Sequence, residues 1–77
     1  MQELVDYVLI IQNRLQEIDD LSFLDDTQKL LNQIKSKNYK SARQKSFEIY
    51  RMMIESGGID NVVSDYLNKI SLLLESI

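Results

Sequence analysis

Proline is absent from this 77-residue chain, and its only two glycines are adjacent, at Gly57 and Gly58. Proline breaks a helix because it lacks an amide hydrogen and its ring clashes with the preceding turn, and glycine weakens a helix through its backbone freedom. A chain with so few helix breakers can stay helical over most of its length. We therefore predict an all-α fold in one domain spanning residues 1–77.

Apolar spacing divides the first half of the chain into two helical segments. The first alternates spacings of four and three residues, which puts one row of side chains on one helix face. This row consists of Leu4, Val8, Ile11, Leu15 and Ile18. The inner face of the second segment consists of Phe23, Leu30, Leu31 and Ile34. Its start has two candidate caps, a Ser22–Asp25 capping box and a later cap at Asp25 or Asp26.

The second half predicts two more helices with a clear turn between them. Asn38 is a candidate N-cap of the third helix, Gly57 can adopt the left-handed conformation that ends it, and Asp60 can cap the fourth. The inward side of the third helix consists of Ala42, Ser46, Ile49, Tyr50 and Met53, with Phe47 and Ile54 beside them. The row in the fourth consists of Ile59, Val63, Tyr66, Ile70, Leu73 and Ile77.

Short connections between these segments favour a small antiparallel bundle of four helices, because neighbours in sequence then become neighbours in space. A three-helix arrangement is the alternative, with residues 23–36 poorly ordered or joined to a neighbouring helix. The longest uninterrupted apolar run, residues 8–11, is far short of the roughly 20 residues that span a bilayer. We expect no transmembrane segment.

Cysteine and histidine are both absent, which removes disulfides, thiolate metal sites and the commonest acid–base group. Catalysis would rely on carboxylates, Lys, Tyr or Ser in a domain with little room for a water-excluding cleft. The pairs Asp19–Asp20 and Asp25–Asp26 lack the Gly and the terminal Glu of an EF-hand loop. We predict a non-enzymatic protein without catalytic residues, metal or cofactor, in a reducing cytoplasm.

Charge is strongly segregated along the chain, whose formal net charge is -3. Seven acidic residues and one basic residue lie in residues 1–28, whereas seven basic residues and one acidic residue lie in residues 29–51. The stretch KSKNYKSARQK, residues 35–45, holds five bases and no acid. We define the basic corner as six side chains of this stretch: Lys35, Lys37, Tyr39, Lys40, Arg43 and Lys45.

The basic corner has three interpretations. An acidic first helix beside basic second and third helices would balance the charges within the bundle. Alternatively, the corner docks onto an acidic partner protein, where charge complementarity speeds association. In the third interpretation, residues 35–45 bind nucleic acid as part of a helix-turn-helix, although the acidic balance of the chain does not meet the basic-domain criterion.

The terminal helices carry more apolar surface than a small bundle needs. Apolar side chains between residues 5 and 11 cover most of the circumference of the first helix, and such a helix must be covered on more than one side. The extra surface can belong to a homodimer or to another partner, or the first helix can be central and contact all three others. The candidate interface residues are Val5, Leu9, Ile10, Leu72 and Leu74.

The layout of short antiparallel helices resembles the bacteriocin immunity proteins of Gram-positive bacteria. The resemblance covers residues 1–74 and rests on LVDYVLIIQNRL, the KSKNYKSA corner and the GGIDNVVSDYL start of the last helix. It implies a small cytosolic bundle that protects its producer from a membrane-active peptide, with recognition around residues 66–77. Members of that family are commonly basic, whereas this chain is acidic.

These features favour a non-enzymatic protein–protein interaction module, a cytosolic regulator or inhibitor of a partner protein. The immunity-type bundle and the nucleic-acid binder are the two alternatives. The many Ile, Lys, Asn and Ser residues are typical of an AT-rich bacterial or phage genome.

Overall fold

The structure is a computed structural model that describes residues 2–77. It contains four α-helices, α1 Gln2–Glu17, α2 Leu24–Lys35, α3 Tyr39–Glu55 and α4 Asn61–Glu75, with a short 3-10 turn, Leu21–Phe23, before α2. No strand occurs within these residues. The predicted all-α fold of four helices is confirmed, and the three-helix alternative is wrong.

The helices form a closed ring in which α1 packs against α2 and α4, and α3 packs against the same two helices. Pairs of cross-helix contacts show that neighbours are antiparallel. Arg14 bonds to Asp60 whereas the earlier Tyr7 contacts the later Tyr66, and Arg43 lies beside Glu75 whereas the later Ser46 lies beside the earlier Ser71. The other contacts between neighbouring helices are Gln12–Gln28 and Asp26–Lys45. The ring puts α1 diagonally across from α3, so acidic α1 is not beside basic α3.

The interior is filled by one row of apolar side chains from each helix. The buried residues are Leu4, Val8, Ile11, Leu15, Leu30, Leu31, Ile34, Ala42, Ile49, Met53, Val63, Leu67, Ile70 and Leu74. The rows predicted for the first two helices agree with this core except at their ends. Ile18 follows the end of α1 and is exposed, and Phe23 lies in the 3-10 turn and is half-buried. Thr27 is buried as well, and its hydroxyl donates to the carbonyl of Leu24.

The buried row of α4 is rotated away from the predicted one. Leu67 and Leu74 occupy its centre, whereas Tyr66 and Leu73 are half-buried at its edge and Ile77 is exposed. Apolar residues flank the row on both sides because α4 packs against both α1 and α3, so spacing alone does not locate the centre. Leu74, only 5% exposed, lies in the core, which corrects its assignment to an exposed interface.

Three helices end in the same hydrogen-bonded motif, with a residue at positive φ just after the helix. Asp19 has φ 57°, Lys37 has φ 62° and Gly57 has φ 122°. In each case the following amide donates to a carbonyl five residues earlier, as in a Schellman motif. The bonds are Asp20 to Leu15, Asn38 to Gln33 and Gly58 to Met53. The predicted role of Gly57 is confirmed, and a lysine takes the equivalent position after α2.

The helix starts follow the predictions only in part. Asp60 caps α4 by accepting hydrogen bonds from the amides of Val62 and Val63. Asn38 precedes α3 as predicted, but its side chain makes no capping bond. The predicted caps of α2 are wrong, because this helix begins directly after the 3-10 turn and Phe23 occupies the N-cap position. No helix in residues 2–77 has the length and apolarity required to cross a bilayer.

Candidate functional site

The basic corner surrounds the turn between α2 and α3. Lys35 ends α2, Lys37 lies in the turn and Lys40 lies in the first turn of α3. All three side chains are exposed, and none of them forms an ion pair within residues 2–77. Three free ammonium groups therefore face solvent at one end of the bundle.

Lys45 is part of the fold rather than of this free cluster. Its ammonium lies 2.9 Å from a carboxylate oxygen of Asp26 on α2 and 3.4 Å from one of Glu48, and its side chain is only 13% exposed. The hydrogen bond to Asp26 raises the pKa of Lys45 above its ordinary value of 10.5. Lys45 therefore forms an ion pair that joins α3 to α2. It lies about one and a half turns after the start of α3.

Tyr39 and Arg43, the other two members of the basic corner, are less free than Lys35, Lys37 and Lys40. Tyr39 is half-buried and packs against the hydrophobic core, so it contributes more to the fold than to an open surface. The guanidinium of Arg43 lies 3.6 Å from the carboxylate of Glu75, at the last residue of α4, and both side chains are more than half exposed. Pairs with this exposure contribute little stability because water screens them.

An open groove of about 480 Å³ continues from the basic corner along the junction of α3 and α4. Its walls are formed by Lys40, Arg43, Gln44, Phe47, Ser71 and Glu75. A smaller depression of about 250 Å³ adjoins it and shares Phe47, Ser71 and Glu75. The groove thus combines two cations, one carboxylate and one large aromatic ring.

Phe47 is the most exposed large apolar side chain in residues 2–77, at 68%. The sequence places Phe47 beside the inward side of α3 and Ser46 on it, and Ser46 is indeed buried. The hydroxyl of Ser46 lies 3.4 Å from that of Ser71 on α4, so small side chains meet where the two helices pack. An aromatic ring at position 46 would clash at this contact, whereas Phe47 points outward.

Phe47 was missed as a site residue because the sequence placed it beside the inward side of α3 and gave it no role there. The helical spacing of Ala42, Ser46, Ile49 and Met53 already completes one face. Phe47 lies about 100° around the helix from Ser46. The inward face formed by Ala42, Ser46, Ile49 and Met53 is therefore the sequence signal that could have identified Phe47 as an exposed residue.

Charge is arranged along the bundle axis. The end opposite the corner combines the ends of α1 and α3 with the starts of α2 and α4, and it carries Glu17, Asp19, Asp20, Asp25, Asp26 and Asp60 beside Arg14 and Arg51. The corner's own end also carries Glu3, Asp6 and Glu75. No ion pair in residues 2–77 joins an acid of α1 to a base of α2 or α3. Because α1 lies diagonally across from α3, the interpretation in which α1 lies beside both basic helices is wrong for α3, whose Lys45 is balanced by Asp26 of α2 instead.

The predicted apolar interface does not form one patch. Leu74 is in the core and Val5 is half-buried against it, while Leu9, Ile10 and Leu72 are exposed. The contacts of α1 with α4 place Leu72 level with the start of α1. It is therefore separated from Ile10 along the bundle axis by about 12 Å, given a rise of about 1.5 Å per residue.

The α1–α4 edge instead contains an aromatic pair under a lysine. The rings of Tyr7 and Tyr66 are 5.5 Å apart, and the ammonium of Lys69 lies 4.5 Å from the centre of Tyr66 and 6.0 Å from that of Tyr7. A cation over two rings is stabilised by their negative faces. This cluster packs α1 against α4, and the ammonium of Lys69 interacts with both rings.

No group of three or more acidic side chains in residues 2–77 converges on a geometry that could hold a metal ion. Comparison of the chain with protein-family models, with curated proteins and with solved structures gives no match.

Proposed function

We propose that this protein is a non-enzymatic interaction module that docks its basic corner onto an acidic surface of a partner protein and regulates that partner in the cytoplasm. The observation that carries the proposal is the cluster of Lys35, Lys37 and Lys40, exposed and without ion pairs within residues 2–77. An acidic protein surface supplies the carboxylates that these ammonium groups lack.

The backbone at Lys37 supports a role beyond folding. Its φ of 62° lies in the left-handed region, which disfavours side chains with a Cβ and which glycine adopts readily. Positions after helices commonly hold glycine for this reason, as Gly57 does after α3. A lysine at such a position costs stability, and a binding role for its charge would account for it.

The charge layout supports directed association. Because the end opposite the corner carries the larger excess of acids, the molecule has an electric dipole that turns the corner toward an acidic surface as the two proteins approach. Exposed charges of this kind raise the rate of association more than they raise affinity. Apolar contacts beside the corner would supply the remaining binding energy.

Phe47 favours a protein over nucleic acid as the partner. Its ring adjoins Lys40 and Arg43, and exposed aromatic residues beside arginine are typical of protein interfaces. The net charge of -3 opposes general binding to a polyanion.

The immunity-type function remains a prediction. It places recognition around residues 66–77, where Leu72 and Glu75 are exposed and Leu74 is buried. Expression of the chain in a bacteriocin-sensitive strain tests it, since an immunity protein protects the strain when it is expressed alone. Unchanged killing by a broad panel of bacteriocins would eliminate this alternative.

The main proposal is tested by affinity capture from cells in which the protein occurs, with two variants that remove equal charge. Lys35→Gln/Lys40→Gln alters the basic corner, and Lys29→Gln/Arg51→Gln removes two exposed bases elsewhere on the same two helices. A captured protein is then purified, and its Kd is measured for all three chains. We expect an acidic partner whose binding is weakened by the corner variant alone.

The contrary results are equally specific. Equal binding by the corner variant and by the control variant would show that the corner is only a solvated surface. A generic DNA duplex serves as a second probe, because counterion release gives phosphate binding a steep dependence on salt. Salt-dependent DNA binding that the corner variant alone reduces would assign the corner to nucleic acid.

A further inference from the structure

We infer that the groove between α3 and α4 binds one amphipathic acidic segment of the partner, with a large apolar side chain against Phe47 and carboxylates on Lys40 and Arg43. This inference rests on the proposed function, because it gives the chemistry of the partner that the basic corner would meet. It adds a second set of residues, which can be tested separately from Lys35 and Lys37.

The groove offers the two kinds of contact that such a segment requires. Its cations, Lys40 and Arg43, lie on the same wall as the ring of Phe47. A volume of about 480 Å³ lies within the usual range of about 300–1,000 Å³ for binding clefts. One large side chain with a flanking carboxylate therefore fits in size and in charge.

Phe47 has the properties of an anchor for binding. It is 68% exposed while the inner face of α3 is complete without it, so the fold does not explain an aromatic ring at this position. Burial of an aromatic ring against a partner releases a large apolar area from water. Aromatic residues and arginine are also the commonest residues at binding hot spots.

Glu75 already provides a carboxylate for one of these cations. Its Oε1 atom lies 3.6 Å from a guanidinium nitrogen of Arg43, which is longer than a good hydrogen bond, and both side chains are exposed. Because the pair is loose and screened, an incoming carboxylate can replace it at little cost. Glu75 thus acts as an internal competitor for the proposed ligand.

Substitutions at the two residues should therefore have opposite effects on affinity. Phe47→Ala removes the anchor, and we expect binding to weaken by a factor of about 10. Glu75→Gln removes the competitor and its negative charge, and we expect binding to strengthen by a factor of about 2–5. Ile54→Ala is the matched control, since Ile54 is 47% exposed on the same helix but does not line the groove.

Displayed random peptides serve as the probe and are selected on the 77-residue chain alone, so that dependence on Phe47 is a result and not a condition of the selection. The selected peptides are synthesised, and their affinities are measured by fluorescence anisotropy for every variant. We expect sequences with acidic residues close to one large apolar residue, weakened by Phe47→Ala, strengthened by Glu75→Gln and unaffected by Ile54→Ala. Gln44→Glu is a second groove variant that preserves helix propensity, and its added negative charge should also weaken binding.

Several outcomes would overturn the inference. Peptides that bind Phe47→Ala and Glu75→Gln as they bind the original chain, but lose affinity for Lys35→Gln/Lys37→Gln, whose side chains do not line the groove, would refute the groove and leave the proposed function intact. Peptides insensitive to all of these substitutions would count against both. Selection of no peptide, or of peptides without acidic residues, would also refute the inference.

Discussion

The guanidinium of Arg14, near the end of α1, donates two hydrogen bonds of 3.0 Å to the two carboxylate oxygens of Asp60 at the start of α4. The same carboxylate accepts hydrogen bonds from the amides of Val62 and Val63. Asp60 therefore caps α4 and also ties this helix to α1. Both roles lie at the acidic end of the bundle, far from the basic corner.

Two substitutions separate the roles of Asp60. Asparagine is a good N-cap but is neutral, so Asp60→Asn keeps the cap and weakens the contact with Arg14, whereas Asp60→Ala loses both. We expect the alanine variant to be the less stable, with the lost cap alone costing about 1 kcal/mol. Urea denaturation measures both, with the exposed Asp65→Ala as a control on the same helix. Equal stability of the two Asp60 variants would contradict the capping role.

The dependence of stability on pH provides a second prediction. The hydrogen bond from Arg14, with smaller effects from the amides of Val63 and Val62, lowers the pKa of Asp60 below its ordinary value of 3.8. A carboxyl whose pKa is lower in the folded state stabilises the fold above its unfolded pKa and loses this contribution as the pH falls through the folded pKa. Urea denaturation from neutral pH down to acid should therefore show a shallower loss of stability in Asp60→Asn. Identical pH profiles would show that this carboxyl has no folded-state shift.

The positive φ angles at Lys37 and Asp19 provide a third prediction. Glycine avoids the strain of a Cβ in this region, so Lys37→Gly should raise the free energy of unfolding by a few tenths to about 1 kcal/mol. Asp19→Gly should gain less, because aspartate tolerates this conformation better than lysine does. Only Lys37→Gly should also weaken binding of the partner. If Lys37→Gly is more stable and binds the partner as tightly as the original chain does, a binding role no longer explains why a lysine occupies this position.

Leu74 and Leu72 provide the fourth prediction, because they lie two residues apart on α4 and differ completely in exposure, at 5% and 66%. Leu74→Ala should destabilise the fold by about 2–5 kcal/mol through the lost burial and the cavity left behind. Leu72→Ala should change stability by less than about 0.5 kcal/mol. Thermal unfolding of the two variants distinguishes the observed burial of Leu74 from the predicted interface, in which both leucines are exposed, and a larger effect at Leu72 would contradict the structure.

The sequence predicts the elements with strong local signals. The Gly57 helix end and the Asp60 cap both appear as expected, because glycine tolerates positive φ and an aspartate side chain reaches nearby amides. The start of α2 was not predictable in the same way. Its predicted capping side chains make no capping bond, and a 3-10 turn leads directly into the helix.

Contacts between helices determine which side chains of the candidate site are exposed, and local sequence patterns do not predict these contacts. The exposure of Phe47 depends on the close approach of Ser46 to Ser71, which joins residues far apart in the sequence. The loss of Lys45 from the free corner depends on Asp26 on another helix. The position of the candidate site is therefore predictable from the charge pattern of residues 35–45, whereas its apolar wall is visible only after the helices are packed.

The central claim is that the basic corner binds acidic protein, and backbone amide NMR tests it most directly. The labelled 77-residue chain is titrated with polyglutamate and, separately, with a generic DNA duplex. We predict salt-sensitive shifts for polyglutamate concentrated at residues 35–44, with weaker effects at Phe47 and Glu75 and none at the acidic end. Shifts spread evenly over the surface, no shifts at low salt, or stronger shifts with DNA than with polyglutamate would contradict the claim.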